Sequence, residues 1–254
     1  MRYQWRLILD PPLTGKENME KDLEIMEEVA TGECPPTLRL YRWFPPAVSL
    51  GYFQDETEVV DLAACRESGI DVVRRPTGGR AVLHQHELTY SIIVPEAHPF
   101  INKGGVMDAY RGISRGIVTA FNLLGIVASV TPEEASRTGL APGSCFDAPS
   151  AYEVQVNGKK VVGSAQLRRD GIVLQHGAIL FKLPLDLCRK VLKKDYRLNG
   201  SGKEFELGEK AAGLHDLGYN ISYEQMTRAL VKGFSMVIPA VFASLRGLLR
   251  DKEV

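Results

Sequence analysis

The spacing of hydrophobic and polar positions changes period several times along the chain. Met19, Leu23, Met26 and Ala30 recur at the three- and four-residue intervals of a helix with one apolar face. "TGKE" at 14–17 opens that helix as a capping box, with Thr14 as N-cap and Glu17 reaching back. Cys34-Pro35-Pro36 ends it, because proline cannot continue the amide ladder. "TLRLYRW" then alternates as a half-buried strand does, and "DLAACRESG" reads as a short helix closed by Gly69. "DVVRR" and "ELTYSIIV" are strand-like, and from Asp108 to Leu124 a second helix places Ala109, Ile113, Ile117, Phe121 and Leu124 on one face. A Pro/Gly/Ser-rich stretch at roughly 131–150 reads as loop. "AYEVQV-NG-KKVVGSAQLRR" predicts a hairpin, since Asn157-Gly158 supplies the positive φ angles of a type I′ turn. "GIVLQHGAILF" is a further strand, and the chain from Ser222 onward is mainly helical with a break at Pro239.

Helices and hairpins interleave without a β-α-β rhythm, which predicts an α+β fold with a mixed β-sheet. Residues 1–184 are expected to form the core domain and 185–254 a mainly helical C-terminal segment packed on it. A chain of 254 residues buries a substantial core. Its 31 basic and 31 acidic side chains cancel, so bulk attraction to nucleic acid is absent and no nucleic-acid partner is expected. The apolar stretch before Asp10 is too short for a secretory signal, and "FSMVIPAVFASLRGLL" is broken by Pro239 and Arg246 and falls short of a bilayer span. The expectation is a cytoplasmic protein with no membrane contact. The cysteines at 34, 65, 145 and 188 form no C-x-x-C pair, which excludes zinc-knuckle and thioredoxin-like motifs; most should be packing residues and at most one chemically active.

Unusual chemistry is concentrated in "RRPTGGRAVLHQHELTYSIIVP", residues 74–95. The Gly78-Gly79 pair fits neither the P-loop nor the dinucleotide pattern. It makes either a tight turn or a place where a ligand lies against the backbone, with Arg74, Arg75 and Arg80 able to meet a carboxylate or phosphate. His84 and His86 would share a strand face, but two histidines need a third ligand such as His176 to hold zinc, so no metal is expected and a hydrogen-bonding histidine at a pocket edge is. Cys145 lies in the turn-rich "PGSCFDAPSAYE", where a neighbouring cation would make its thiolate reactive. Lys160 is the candidate cation. Strict alternation puts it on one face with Glu153, Gln155, Val162 and Ser164, opposite Tyr152, Val154, Val156 and Val161. A polar hairpin face is ordinarily solvated, so the pattern alone leaves its role open.

Taken together, "RRPTGGRAVLHQHELTYS", "CFDAPSAYE", "NGKKVVGSAQ" and "LQHGAIL" resemble the biotin/lipoate protein ligase superfamily, and within it the LipM-type octanoyltransferases, from about Trp5 to about Leu183. The resemblance implies an α+β catalytic domain of the biotin/lipoate ligase type. It implies transfer of octanoyl from octanoyl-acyl carrier protein to a lysine of a lipoyl domain, commonly the glycine cleavage H protein. Cys145 would carry the acyl group as a thioester and Lys160 would lower its pKa. On that reading the backbone amides of Gly163, Ser164 and Ala165 stabilise the oxyanion, Gly78 and Gly79 wall the acyl tunnel, and Arg75 and His84 frame its mouth. No cofactor is implied, since passage from thioester to amide is downhill. ATP-dependent ligases resemble this chain but usually carry a third glycine where it has Arg80, and generally lack the cysteine. The alternatives are such a ligase, an amidotransferase working between lipoyl domains, or a non-catalytic acyl- or lipoyl-binding protein of the same fold.

Overall fold

The structure is a computed structural model that describes residues 3–101, 105–130, 153–193, 207–238 and 240–242. Strands β1 (Tyr3–Leu9), β2 (Thr37–Tyr41), β6 (Glu87–Pro95), β7 (Ala128–Val130), β8 (Val154–Val156), β9 (Lys159–Arg169), β10 (Ile172–Leu180) and β11 (Ala240–Phe242) form one sheet, in the order β11-β1-β2-β6-β10-β9-β8-β7. Strand β1 runs parallel to both its neighbours and the other pairings are antiparallel. A second sheet joins β4 (Asp71–Arg74), β3 (Ala47–Leu50) and β5 (Val82–His84), with β3 parallel to β4 and antiparallel to β5. The mixed-sheet α+β expectation holds.

Helix α1 (Gly15–Thr31) opens on the predicted capping box and closes one residue later at Gly32, whose φ of 77° is the left-handed cap, ahead of the two prolines. Short helices α2 (Glu56–Val59) and α3 (Leu62–Glu67) follow β3, each with an aspartate N-cap. Helix α4 (Val106–Leu123) buries Ala109, Ile113, Ile117 and Phe121 as the pattern predicts. Helices α5 (Leu185–Val191), α6 (Leu207–Lys210) and α7 (Tyr223–Val237) complete the set, and α7 has its own capping box from Ser222 and Gln225. Asn157 and Gly158 take φ values of 51° and 74°, so the β8–β9 hairpin turns as its sequence requires.

The large sheet is covered on both faces. Alternate residues Leu38, Leu40, Tyr90, Ile92, Val173 and Ile179 join the main core with α4 and α7. Their neighbours Arg39, Tyr41, Thr89, Ile93 and His176 face the other way, toward α1 and the small sheet.

Three expectations need correction. The stripe that α1 buries is Asn18, Met19, Asp22, Ile25, Met26 and Val29 rather than Met19, Leu23, Met26 and Ala30. It is rotated because Asn18 and Asp22 bind the fully buried Arg39 of β2. The segment after Pro239 forms strand β11 against β1 where a continued helix was read. Finally, β1, β3 and β7 went unread: β3 and β7 span only four and three residues, and β1 runs directly into Asp10-Pro11-Pro12.

Helices α4 and α7 touch at glycines. A Cβ at Gly233 would lie 2.6 Å from the Gly116 carbonyl oxygen and 2.7 Å from the Ala120 nitrogen, both backbone atoms that cannot step aside. Gly233→Ala should therefore destabilise the protein by about 1–3 kcal/mol through overpacking, despite alanine's better helix propensity. Urea unfolding reads this directly, and a stabilised variant would show that the helices separate freely.

Candidate active site

A cleft of about 360 Å³ opens between the α1 face of the large sheet and the small sheet. Met19 of α1, Tyr41 of β2 and Trp43 line one side, and Ser49, Val82 and His84 of the small sheet line another. Gly163 and Ala165 of β9, with His176 and Ala178 of β10, form its floor.

Arg75 organises this wall. Its guanidinium is buried and donates to the carbonyls of Ser49 (2.9 Å), Gly78 (2.8 Å) and Arg80 (2.7 Å). It also donates to two hydroxyls, Thr77 Oγ1 at 3.1 Å and Ser49 Oγ at 3.2 Å. Arginine only donates, so each hydroxyl accepts from it and shares a further hydrogen bond with the imidazole beside it. Ser49 Oγ lies 2.8 Å from His84 Nε2, and Thr77 Oγ1 lies 2.7 Å from His176 Nε2. The opposite nitrogens then donate to carboxylates, His84 Nδ1 to Glu87 at 2.8 Å and His176 Nδ1 to Asp22 at 3.2 Å. Two hydroxyl–imidazole–carboxylate chains thus leave Arg75 in opposite directions. One ends at Trp43, whose indole donates to Thr89 Oγ1 (2.8 Å), which donates in turn to Glu87 (2.7 Å). The other ends at Arg39, which donates to Asp22 and Asp10, each at 2.7 Å.

The polar side chains of the wall turn their nitrogens and oxygens into this network, so the cleft itself presents an almost wholly apolar surface. Trp43 stacks on the His84 ring at 3.9 Å between centroids and seals that side. Burial holds the His176 imidazole below its ordinary pKa against the opposing pull of Asp22, with the Arg75 charge adding to the depression. Burial works against the Asp22 carboxylate too, but bonds from His176 and Arg39 and the Arg39 charge bring it below the usual carboxylate range.

The expected site residues fall in different places. Arg75 and His84 are in the wall, both buried, but the Arg75 donors go to protein oxygens. Gly78 and Gly79 do not line this cleft. They turn the chain over Gly51, where a Cβ would sit 1.9 Å from the Gly79 oxygen, and Gly79 needs a φ of +91°. Arg74 holds the same loop from outside, donating to the Gly51 and Tyr52 carbonyls. His86 does not share a face with His84, because β5 ends at His84 and His86 is exposed in the turn beyond. Gly163 and Ala165 face the cleft, whereas Ser164 points to the opposite side and meets Tyr90 Oη at 2.7 Å. Cys145 lies outside the described residues. Of the other thiols, Cys65 and Cys188 are buried in helices, and burial raises the pKa of both Cys65 and Cys34.

Lys160 is buried and ion-paired with the buried Glu153. The face assignment read from strict alternation is wrong beyond Lys160, because the β8–β9 register shifts. Val154 pairs with Val162 and Gln155 with Lys160, leaving Val161 as a bulged extra residue. Val161 and Val162 both enter the main core, so from Gly163 onward the faces are exchanged. Lys160 and Glu153 thereby stand on the same side of the sheet as Gly163 and Ala165, the side of the cleft. The Lys160 backbone is pinned as well, its carbonyl accepting from the Ala212 amide at 3.1 Å.

Sequence reading missed Ser49, Thr77, Asp22, Glu87 and Trp43, and saw His176 only as a third metal ligand. The available signal was polar residues at buried positions of amphipathic elements, such as Asn18 and Asp22 inside a helical stripe.

This architecture has close parallels. The lipoyl protein ligase A/B catalytic domain family matches residues 14–235. Octanoyltransferase LipM of Kyrpidia tusciae is 44% identical over 243 residues, covering 93% of this chain and 88% of that protein. A crystal structure of lipoate-protein ligase A bound with ATP superposes with a TM-score of 0.71 at 26% identity, over 95% of this chain and 87% of that one. A bi-partite lipoate protein ligase of Thermoplasma acidophilum, described with its E2 lipoyl domain, gives 0.70 at 25%, over 95% and 86%. The chain belongs to the lipoyl protein ligase A/B catalytic domain family. Within it, its place is among the LipM octanoyltransferases.

The depressed His176 pKa has a thermodynamic consequence. The unfolded chain binds the imidazole proton more readily than the folded one, so stability rises with pH and is lost as pH falls below the unfolded value of about 6.5. His98, also lowered by burial, acts in the same direction. His176→Gln should therefore flatten, without abolishing, the slope of unfolding free energy between about pH 5 and 7. Denaturant titrations at several pH values measure it, and an unaltered slope would mean that His176 is protonated alike in both states.

Proposed function

We propose that this enzyme carries octanoyl from octanoyl-acyl carrier protein to one lysine of a lipoyl domain, such as that of the glycine cleavage H protein, by way of a thioester on Cys145. The observation that carries the reading is the cleft, in which polar residues spend their heteroatoms on one another and leave a carbon-lined slot for an alkyl chain. Each methylene placed there contributes about 0.8 kcal/mol, enough to favour an eight-carbon acyl group over the short ones. The LipM relatives support the acyl group, and the ligase described with its lipoyl domain supports the class of acceptor.

Two displacements complete the reaction. The Cys145 thiolate adds to the octanoyl carbonyl, a new C–S bond forms, and the carrier's thiol leaves as thiolate and takes up a proton. The acceptor lysine, arriving as the neutral amine, then adds to the Cys145 thioester; the C–N bond forms, the C–S bond breaks, and the proton lost by the amine passes to the departing Cys145 sulfur. No nucleotide enters either step. A free thiol near pKa 8.5 is only a few per cent ionised at neutral pH, about 3%, so a fixed ammonium matters. Lys160 has three N–H donors, one of them directed to Glu153, and its charge lies on the cleft side of the sheet. Among the described residues, strand β8 pairs with β9 as far as Val162. Beyond it, alternate N–H groups of Gly163–Ala165 face away from β10 and suit an oxyanion. A cytoplasmic setting, where acyl carrier protein and lipoyl domains meet, fits the reading. Among the described residues no helix is long and apolar enough to cross a membrane.

Intact-mass analysis after incubation with octanoyl-acyl carrier protein, without nucleotide, should show one octanoyl adduct on the wild type that hydroxylamine removes. Cys145→Ala should show no adduct and lose transfer by a factor of at least ~10³. Transfer that appears only with ATP and free octanoate would replace this reading by that of a ligase. Lys160→Met combined with Glu153→Gln removes both buried charges together, so neither is left unpaired. In that variant adduct formation should fall most at neutral pH and recover in part above about pH 9, where the thiol ionises unaided. A uniform loss at every pH would remove Lys160 from thiolate stabilisation.

A further inference from the structure

We infer that Val82 is the residue that sets acyl-chain length, by closing the end of the cleft against a second apolar cavity directly behind it. The inference rests on the cleft being the acyl site.

The second cavity is a narrow, partly open gap with room for little more than one water molecule, lined by Ala81, Val82, Leu83, Leu180, Leu183, Pro184, Cys188, Leu192 and Leu207. Val82 is the one side chain common to both walls among the described residues. The two spaces follow one another along a single face of β10. His176 and Ala178 floor the first and Leu180 floors the second, at the two-residue repeat of one strand face. On β5 the same succession holds, with His84 in the first space and Val82 between the two. Val82 packs in one cluster with Ala178, Leu180, Leu183 and Ala211. Ala178 opposite it is small, so the partition consists chiefly of the two Val82 methyl groups. A β-branched side chain on a strand has few rotamers, which makes that partition stiff.

The wall chemistry names the occupant. Among the described residues no side chain lining the second cavity offers a charge or a strong hydrogen-bond partner, so a polar ligand gains nothing from them. The methylenes of an acyl chain longer than octanoyl are what it suits, once Val82 is shortened.

The test measures kcat/KM for hexanoyl-, octanoyl-, decanoyl- and dodecanoyl-acyl carrier protein with full-length enzyme and H protein. Val82→Ala should raise decanoyl relative to octanoyl about tenfold, the gain expected for two newly buried methylenes. Val82→Ile should shift preference toward hexanoyl. Cys188→Phe added to Val82→Ala fills the second cavity and should cancel the long-chain gain, which general loosening of the fold would not allow. If Val82→Ala does not fold, as judged by circular dichroism and thermal melting, the isoleucine variant alone decides, because an unchanged hexanoyl preference overturns the inference. An unchanged chain-length profile in a folded Val82→Ala overturns it equally. Absence of octanoyl transfer by the wild-type enzyme would instead refute the acyl reading of the cleft, and the two failures are thus distinct.

Discussion

A buried guanidinium shapes the cleft. Arg75 sends its N–H groups to three carbonyls and two hydroxyls, and so fixes the turn at 77–80 and the orientation of two imidazoles at once. Hydrogen bonds from a charged donor contribute about 1.5–3 kcal/mol each, and together they offset the cost of taking the charge out of water. Lysine at this position would keep the charge and lose the fork, since three donors on one atom cannot reach acceptors spread over Ser49, Thr77, Gly78 and Arg80.

The consequence is a pocket whose polarity is hidden. Serine, threonine, arginine and two histidines line it, yet the surface is mainly carbon, because the heteroatoms find partners behind the wall. An all-aliphatic lining would offer the same surface but no fixed shape. Directional bonds hold the histidine rings where they stand, and the Trp43 stack locks one of them from the side. Such a network is stable only when complete, since an unpaired polar group at this depth costs about 1–3 kcal/mol.

What the chain discloses before folding follows from how local each signal is. The Thr14–Glu17 capping box, the Asn157-Gly158 turn and the apolar face of α4 were legible because each depends on residues within a turn or two. The family resemblance was legible for the same reason: its motifs are contiguous. The partnerships were not legible. Asp22 looks like a solvated helix residue until Arg39 and His176 arrive from two other strands, and Ser49 and Thr77 carry no pattern at all. Lys160 was singled out, but its face was miscounted beyond the hairpin, because one bulged valine exchanges the two sides and alternation has no means of announcing a bulge.

That bulge bears on why Lys160 and Glu153 are charged. A buried ion pair is weak evidence for stability, and an apolar pair of similar volume would serve the fold about as well. The pair sits on the cleft side of the sheet, three residues before Gly163 in the floor, with the Lys160 carbonyl tied to Ala212. An ammonium there without Glu153 would be an uncompensated charge in the interior, and Glu153 supplies the compensation. On the proposed reading, the carboxylate keeps the ammonium in place for whichever sulfur or oxygen anion forms in front of it.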